Sequence, residues 1–131
     1  MDILLMVHSI LRWLIVLAGL LALVKFLVGW AQKSAYGKME RGLSAGFSGL
    51  MDLQVLLGVI YLFATGFGGE GFPAHHLIHA AIMLLAAAAA HVPAMFRKRE
   101  ADQLLVGLLA VLGALALVAV GVAVLPGGWS R

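Results

Sequence analysis

The stretch of residues 72–99 reads FPAHHLIHAAIMLLAAAAAHVPAMFRKR and holds four of the five histidines of the chain. The histidines lie in an apolar segment, and the stretch ends with three basic residues, Arg97, Lys98 and Arg99. A helix rises about 1.5 Å per residue, so His79 and His91 lie about 18 Å apart along its axis. The apolar core of a bilayer is about 30 Å thick, so this spacing places one histidine toward each membrane face. Histidines inside a membrane are costly and indicate a functional site by default.

The composition of the whole chain predicts a membrane protein. Hydrophobic residues make up 63% of the 131 residues, and the mean hydropathy is +1.07, whereas about half of a globular domain is apolar. Four apolar segments, at about residues 3–31, 44–67, 74–96 and 103–125, each approach or exceed the roughly 20 residues that cross a bilayer as a helix. The sequence therefore predicts one all-α domain over residues 1–131, an integral membrane four-helix bundle. The chain has no cysteine, which excludes disulfides, iron–sulfur clusters and thiolate catalysis.

The distribution of positive charge predicts the orientation of these helices. The first loop, residues 32–43, and the third, residues 97–102, carry six basic residues, whereas the second loop, GFGGEGFP, carries none. Loops that are rich in lysine and arginine stay in the cytoplasm, so both termini are expected outside. The net charge of +3 is then a topology signal and not a sign of nucleic-acid binding. The expected location is the bacterial inner membrane, with multiple passes. The six basic residues are Lys33, Lys38, Arg41, Arg97, Lys98 and Arg99.

Three polar residues form a predicted outer layer: His8, Arg12 and His79. His8 and Arg12 are four apart and share a helical face, and the alternating topology places His79 at a depth similar to that of His8. Two histidines projecting from facing helices suit the axial positions of a haem iron, so we expect them to ligate one haem b. Arg12 lies inside an apolar run and would neutralise a haem carboxylate. Gly58 and the alanines of residues 86–90 are expected to leave room for the macrocycle.

Three further residues, Lys25, Asp52 and His91, form a predicted inner layer. We expect Asp52 and His91 to interact, because a carboxylate in an apolar bundle must be neutralised or paired. Such a pair could exchange a proton with a nearby haem or quinone, since histidine titrates near neutral pH, or could simply join two helices. Lys25 could supply the opposite charge or extend its amine to the interface.

The histidines at the start of the quoted stretch allow other interpretations. His75 and His76 are expected to be interfacial residues in contact with water. Positions 75 and 79 share a helical face, so a zinc or copper site in HHxxH is an open alternative.

Several short motifs resemble a known group of proteins. With HSILRWL, DLQVLLGVIYLF and two histidines twelve residues apart, the chain resembles small four-helix bacterial membrane proteins of the cytochrome b-like family, b561-type in character. The resemblance implies that His8 and His79 ligate haem b and that His91 matches an additional inner histidine. A second haem would need another inner histidine, where this chain has Asp52, so one haem is expected.

These observations predict a membrane b-type cytochrome that transfers electrons and is not a stand-alone enzyme. Its expected partners are membrane lipid and either a quinone or other subunits of a respiratory or photosynthetic complex. Two alternatives stay open: a cofactor-free accessory subunit, which the uniformly apolar fourth segment would suit, and a small metal or proton carrier that uses the histidines.

Overall fold

The computed structural model describes residues 2–33, 36–95 and 102–130. Within these ranges the chain is helical and contains no strand. Four of its helical segments are long and apolar enough to cross a membrane, which confirms the predicted all-α membrane bundle. The helices are α1 (Asp2–Ala31), α2 (Lys38–Thr65), α3 (Ala74–Ala90), the four-residue α4 (Val92–Met95) and α5 (Gln103–Ala123).

Helix α2 begins at Lys38, six residues before the predicted start near Ser44. The charged residues that indicated a loop are good helix formers, and one of them stabilises the helix start. The side chain of Glu40 accepts a hydrogen bond from the backbone N–H of Gly37 at 3.2 Å, which satisfies a donor that an uncapped helix leaves open. Half of the predicted first loop, residues 38–43, is therefore the beginning of α2. Tyr36 packs beside it against Phe26, with ring centroids 5.9 Å apart, and burial raises the pKa of its phenol.

Helix α3 ends where the proline in the quoted stretch predicts. His91 is its C-cap residue, with φ −90° and ψ −6°, and Pro93 lies in the short helix α4. Proline cannot donate the backbone hydrogen bond that would continue α3. The basic residues at 97–99 lie outside the described residues.

The long helices pack in the cyclic order α1, α2, α3, α5, with α5 returning to α1. Helices α1 and α3 are therefore diagonal across the bundle axis. The core between the four helices is apolar, and the alanines of α3 help to fill it. Ala86, Ala87 and Ala90 are buried there, so most of the predicted space-making alanine run serves helix packing.

Candidate functional site

The two histidines of the outer layer face each other across the bundle. The ring of His8, on α1, and the ring of His79, on α3, have centroids 6.5 Å apart and planes 74° apart. Both rings are only partly exposed. The sequence predicted that His8 and His79 lie at a similar depth. The structure brings the two side chains together, although they are 71 positions apart in the chain and belong to diagonal helices.

The ring of His79 is oriented by the backbone of α5. Its Nδ1 lies 2.6 Å from the carbonyl oxygen of Gly121. A carbonyl only accepts, so Nδ1 carries the proton, and in the neutral imidazole the lone pair lies on Nε2. Gly121 lets α5 pack closely against α3 here, because a methyl group at this position would lie 2.9 Å from the Met83 sulfur. The pattern matches metal-ligating histidines, whose second nitrogen donates to a carbonyl or carboxylate.

His8 is held by α2 through two neighbouring positions. The side-chain nitrogen of Gln54 donates a hydrogen bond of 2.7 Å to the backbone carbonyl oxygen of His8. One turn further along α2, Gly58 faces the His8 ring, and a methyl group at this glycine would lie 3.2 Å from Cε1 of His8. Gln54 is 3% exposed, and its side-chain oxygen has no hydrogen-bond partner among the described residues.

Arg12 lies one turn deeper than His8 and is 8% exposed. The centre of its guanidinium group is 5.3 Å from the ring centroid of Trp13 and 5.4 Å from that of Trp129. Both distances are within the range of cation–π attraction. Trp129 is held in turn by a hydrogen bond from its indole N–H to the carbonyl oxygen of Ala119, 3.2 Å away. The segment after α5 therefore closes over the buried arginine with an aromatic ring.

A cavity of about 110 Å³ lies among these side chains. Its lining is largely apolar and comes from the four long helices and the segment after α5. The polar lining residues are Ser9, Gln54, Tyr61 and His76 in addition to the whole outer layer. Because the unsatisfied oxygen of Gln54 belongs to a lining residue, the cavity offers a hydrogen-bond acceptor to an occupant.

Two of the three residues of the predicted inner layer contact each other in the structure. Nε2 of His91 lies 2.8 Å from each carboxylate oxygen of Asp52, so the expected contact between these residues is present. The pair is not in the core, since the side chain of His91 is 48% exposed and that of Asp52 is 54% exposed. Lys25 is exposed on α1, and within the described residues no hydrogen bond or ion pair joins it to Asp52 or His91.

The remaining histidines do not form a metal cluster. The rings of His75 and His76 contact each other, with centroids 4.5 Å apart, and His76 also lines the cavity. Across residues 2–33, 36–95 and 102–130, no group of three or more histidine, aspartate or glutamate side chains could hold a metal ion. The described residues therefore give no support to the zinc or copper alternative.

Two groups of the site, Gln54 and the Gly121 carbonyl, were not predicted as functional. Gln54 could have been found as an amide inside an apolar helix, one turn from Gly58. The Gly121 carbonyl carries no side-chain signal, so a reading of side-chain types could not have found it.

Comparisons of the chain with protein-family models, with curated proteins and with solved structures give no match. The resemblance to cytochrome b-like proteins therefore remains a prediction, and the functional argument depends on the geometry of the site.

Proposed function

We propose that this protein is a membrane b-type cytochrome in which His8 and His79 are the two axial ligands of a haem iron. The observation that carries the proposal is the facing pair of imidazoles from diagonal helices, 6.5 Å apart between ring centroids. Two imidazoles on opposite sides of one metal, each with a metal–nitrogen bond of about 2.0 Å, have their centroids roughly 6 Å apart. The observed separation is close to this requirement.

The donor set favours haem over a bare metal ion. A bare ion such as zinc needs about four ligands, and within the described ranges no group of three or more histidine or acidic side chains forms. Haem supplies its own four equatorial nitrogens and requires only two protein donors. The hydrogen bond from His79 Nδ1 to Gly121 supports this role, because it orients Nε2 as the ligating atom.

A haem also needs enough space between the helices. Ordinary ligand pockets measure about 300–1,000 Å³, and the cavity between His8 and His79 is about 110 Å³. The two histidines are suitable ligands for a haem iron, but the cavity is smaller than an ordinary ligand pocket. Binding of the macrocycle would therefore require the lining side chains and the diagonal helices α1 and α3 to move apart. Gly58 lets the His8 ring lie directly against the backbone of α2, since a methyl group there would lie 3.2 Å from Cε1 of the ring.

A haem with histidine on both axial positions supplies one-electron transfer and leaves the iron no open position for oxygen chemistry. Arg12 is placed to raise the affinity for an electron, since a buried positive charge stabilises the reduced form. Trp13 and Trp129 contact its guanidinium group and keep it beside the cavity. The protein would thus exchange electrons with a quinone or with other subunits of a respiratory or photosynthetic complex.

The location in the proposal is the bacterial inner membrane, with both termini outside. The support is the contrast between the basic first and third loops and the second loop, which has no positive charge. In this orientation the cavity lies in the half of the bundle that faces away from the cytoplasm.

One observation favours a second function, that of a cofactor-free accessory subunit in a larger complex. The cavity of about 110 Å³ is small enough to remain in a bundle that holds only water molecules. In that case the hydrogen bonds at His8 and His79 would join α1 to α2 and α3 to α5.

A reduced-minus-oxidised difference spectrum of the purified protein separates the two functions. The proposal expects the bands of a low-spin b-type haem. His8→Ala and His79→Ala should each abolish those bands, because each removes one of only two protein ligands. The matched control is His75→Ala, since His75 is not among the residues that line the cavity.

Absence of b-type bands in protein purified with an adequate haem supply would leave the accessory function. Retained bands in His79→Ala, combined with their loss in His76→Ala, would show that the ligand lies one turn away from its proposed position.

A further inference from the structure

The half of the bundle that holds the outer layer is closed in different ways along its four edges. At the α1–α2 edge, Gln54 is 3% exposed and donates a hydrogen bond of 2.7 Å to the carbonyl oxygen of His8. At the α3–α5 edge, Nδ1 of His79 lies 2.6 Å from the carbonyl oxygen of Gly121. At the α2–α3 edge, the short connection of residues 66–73 joins the two helices directly. Contacts from the helices, or a short connection, therefore hold these three edges together.

The fourth edge, between α1 and α5, is spanned by a side chain from the segment after α5. The indole N–H of Trp129 donates a hydrogen bond to the carbonyl oxygen of Ala119, on α5. The ring of Trp129 lies 5.4 Å from the guanidinium centre of Arg12 and 5.5 Å from the ring centroid of Trp13, both on α1. Arg12 and Val118 line the cavity from these two helices. Trp129 therefore bridges the edge at the level of the cavity.

The bridge by Trp129 is less firmly held than the hydrogen bonds at the neighbouring edges. Its hydrogen bond is 3.2 Å long and exposed, whereas those at His8 and His79 are 2.7 and 2.6 Å long. Water can replace an exposed hydrogen bond at a small net cost. The two residues before Trp129, Gly127 and Gly128, have φ angles of 82° and 47°, in the region that glycine enters without a steric penalty. Rotation at these glycines can move Trp129 away while α5 stays helical.

Deeper in the bundle, α1 and α5 remain in close contact. A methyl group at Gly19 would lie 2.6 Å from a methyl carbon of Leu115 on α5. Gly19 is seven residues after Arg12, which is about 10 Å along α1. The two helices can therefore separate beside the cavity, once Trp129 has moved, and keep the contact at Gly19 as a pivot.

Arg12 determines the kind of molecule for which this edge opens. Its guanidinium group lines the cavity and is planar, so it can form two parallel charge-assisted hydrogen bonds with a carboxylate. Such a pair is stronger than the cation–π contact with the Trp129 ring, so a carboxylate can displace that ring. The rest of the lining is largely apolar. The occupant is therefore a lipid-soluble molecule with an apolar body and a carboxylate.

We propose that Trp129 is a latch, a side chain that holds the α1–α5 edge closed, and that this edge is the entrance through which an apolar carboxylate reaches the cavity. The inference rests on the proposed function in one respect, because haem, an apolar macrocycle that carries carboxylates, is then the molecule that enters. The latch itself does not depend on haem, since a fatty acid has the same two chemical features.

Thiol accessibility tests the latch in the full-length protein, which has no cysteine of its own. Val118 is 2% exposed and lines the cavity, so Val118→Cys in lipid nanodiscs should react slowly with N-ethylmaleimide. Adding Trp129→Ala should raise the rate about tenfold, the effect of making the open state roughly 1.4 kcal/mol easier to reach. Adding Trp30→Ala instead is the matched control, since Trp30 is an exposed tryptophan at the other end of α1.

A second cysteine position separates release of the latch from a general loosening of the bundle. Ala114 is fully buried on α5 and is not among the residues that line the cavity. Trp129→Ala should therefore leave the labelling rate of Ala114→Cys unchanged. If Val118→Cys does not fold, Ile15→Cys takes its place, because Ile15 is 1% exposed and lines the cavity from α1.

Two results would overturn the latch: equal labelling of Val118→Cys with and without Trp129→Ala, or an equal rise at positions 114 and 118. Preincubation with haemin should slow the labelling of Val118→Cys, whereas oleate should not. Protection by oleate alone, in a protein without b-type bands, would refute the cytochrome and keep the latch. The presence of b-type bands with no effect of Trp129→Ala on labelling would refute only the latch.

Discussion

The outer layer and the Asp52–His91 pair use the same residue type in opposite settings. His8 and His79 face the bundle axis, and backbone contacts to α2 and α5 hold them in place. The ring of His91 faces outward, and its Nε2 lies 2.8 Å from a side chain, the carboxylate of Asp52. The ring of His79 is oriented by a backbone carbonyl of α5, and the backbone carbonyl of His8 accepts a hydrogen bond from Gln54 on α2. The ring of His91 is held by an exposed carboxylate, so its orientation depends less on how the helices pack. The first setting is the one in which we propose a haem, and the second is an exposed side-chain pair between α2 and α3.

The largest expected effect comes from filling the space beside His8. Gly58→Leu should abolish the b-type spectrum, because even a methyl group at position 58 would lie 3.2 Å from Cε1 of His8 and a leucine would displace the ring. The measurement is haem content per protein after purification, together with the difference spectrum. The matched control on the same helix is Gly46→Leu, since a methyl group there meets no atom within 4 Å. Equal loss in both variants would indicate a general packing defect and contradict the role of Gly58.

A smaller effect is expected from Gln54, a positioning residue for His8. Gln54→Ala removes the donor to the His8 carbonyl and should lower the free energy of unfolding by about 1–3 kcal/mol. Because the same bond fixes α1 beside α2 at His8, the low-spin electron paramagnetic resonance signal should also shift or broaden. The control, Gln32→Ala, changes an exposed residue after α1 and should alter stability by less than about 0.5 kcal/mol. An unchanged resonance signal with lowered stability would leave Gln54 a purely structural role.

The comparison also shows what the sequence could and could not predict. Helical rise and alternating topology were sufficient to place His8 with His79 and Asp52 with His91, because depth depends only on counting residues from a boundary. They could not show that the second pair faces outward, since this depends on how each helix is rotated about its axis by packing. Lys25 shares the depth of that pair but projects from α1 to the exterior. The start of α2 was predicted too late for a related reason: Glu40 was counted as a loop charge, although it caps the helix.

The smallest expected effect is that of Asp52→Asn. The side chains of His91 and Asp52 are 48% and 54% exposed, and exposed ion pairs contribute about 0–1 kcal/mol. The variant keeps the shape and an acceptor oxygen, so thermal unfolding in detergent should differ from wild type by no more than that amount. The b-type bands should also be unchanged, because the pair lies outside the outer layer. Asp102→Asn is the control for the loss of one carboxylate. A larger loss than that of Gln54→Ala would mean that the pair is shielded by protein in the folded state. The contrast between the enclosed outer layer and the exposed Asp52–His91 pair would then fail.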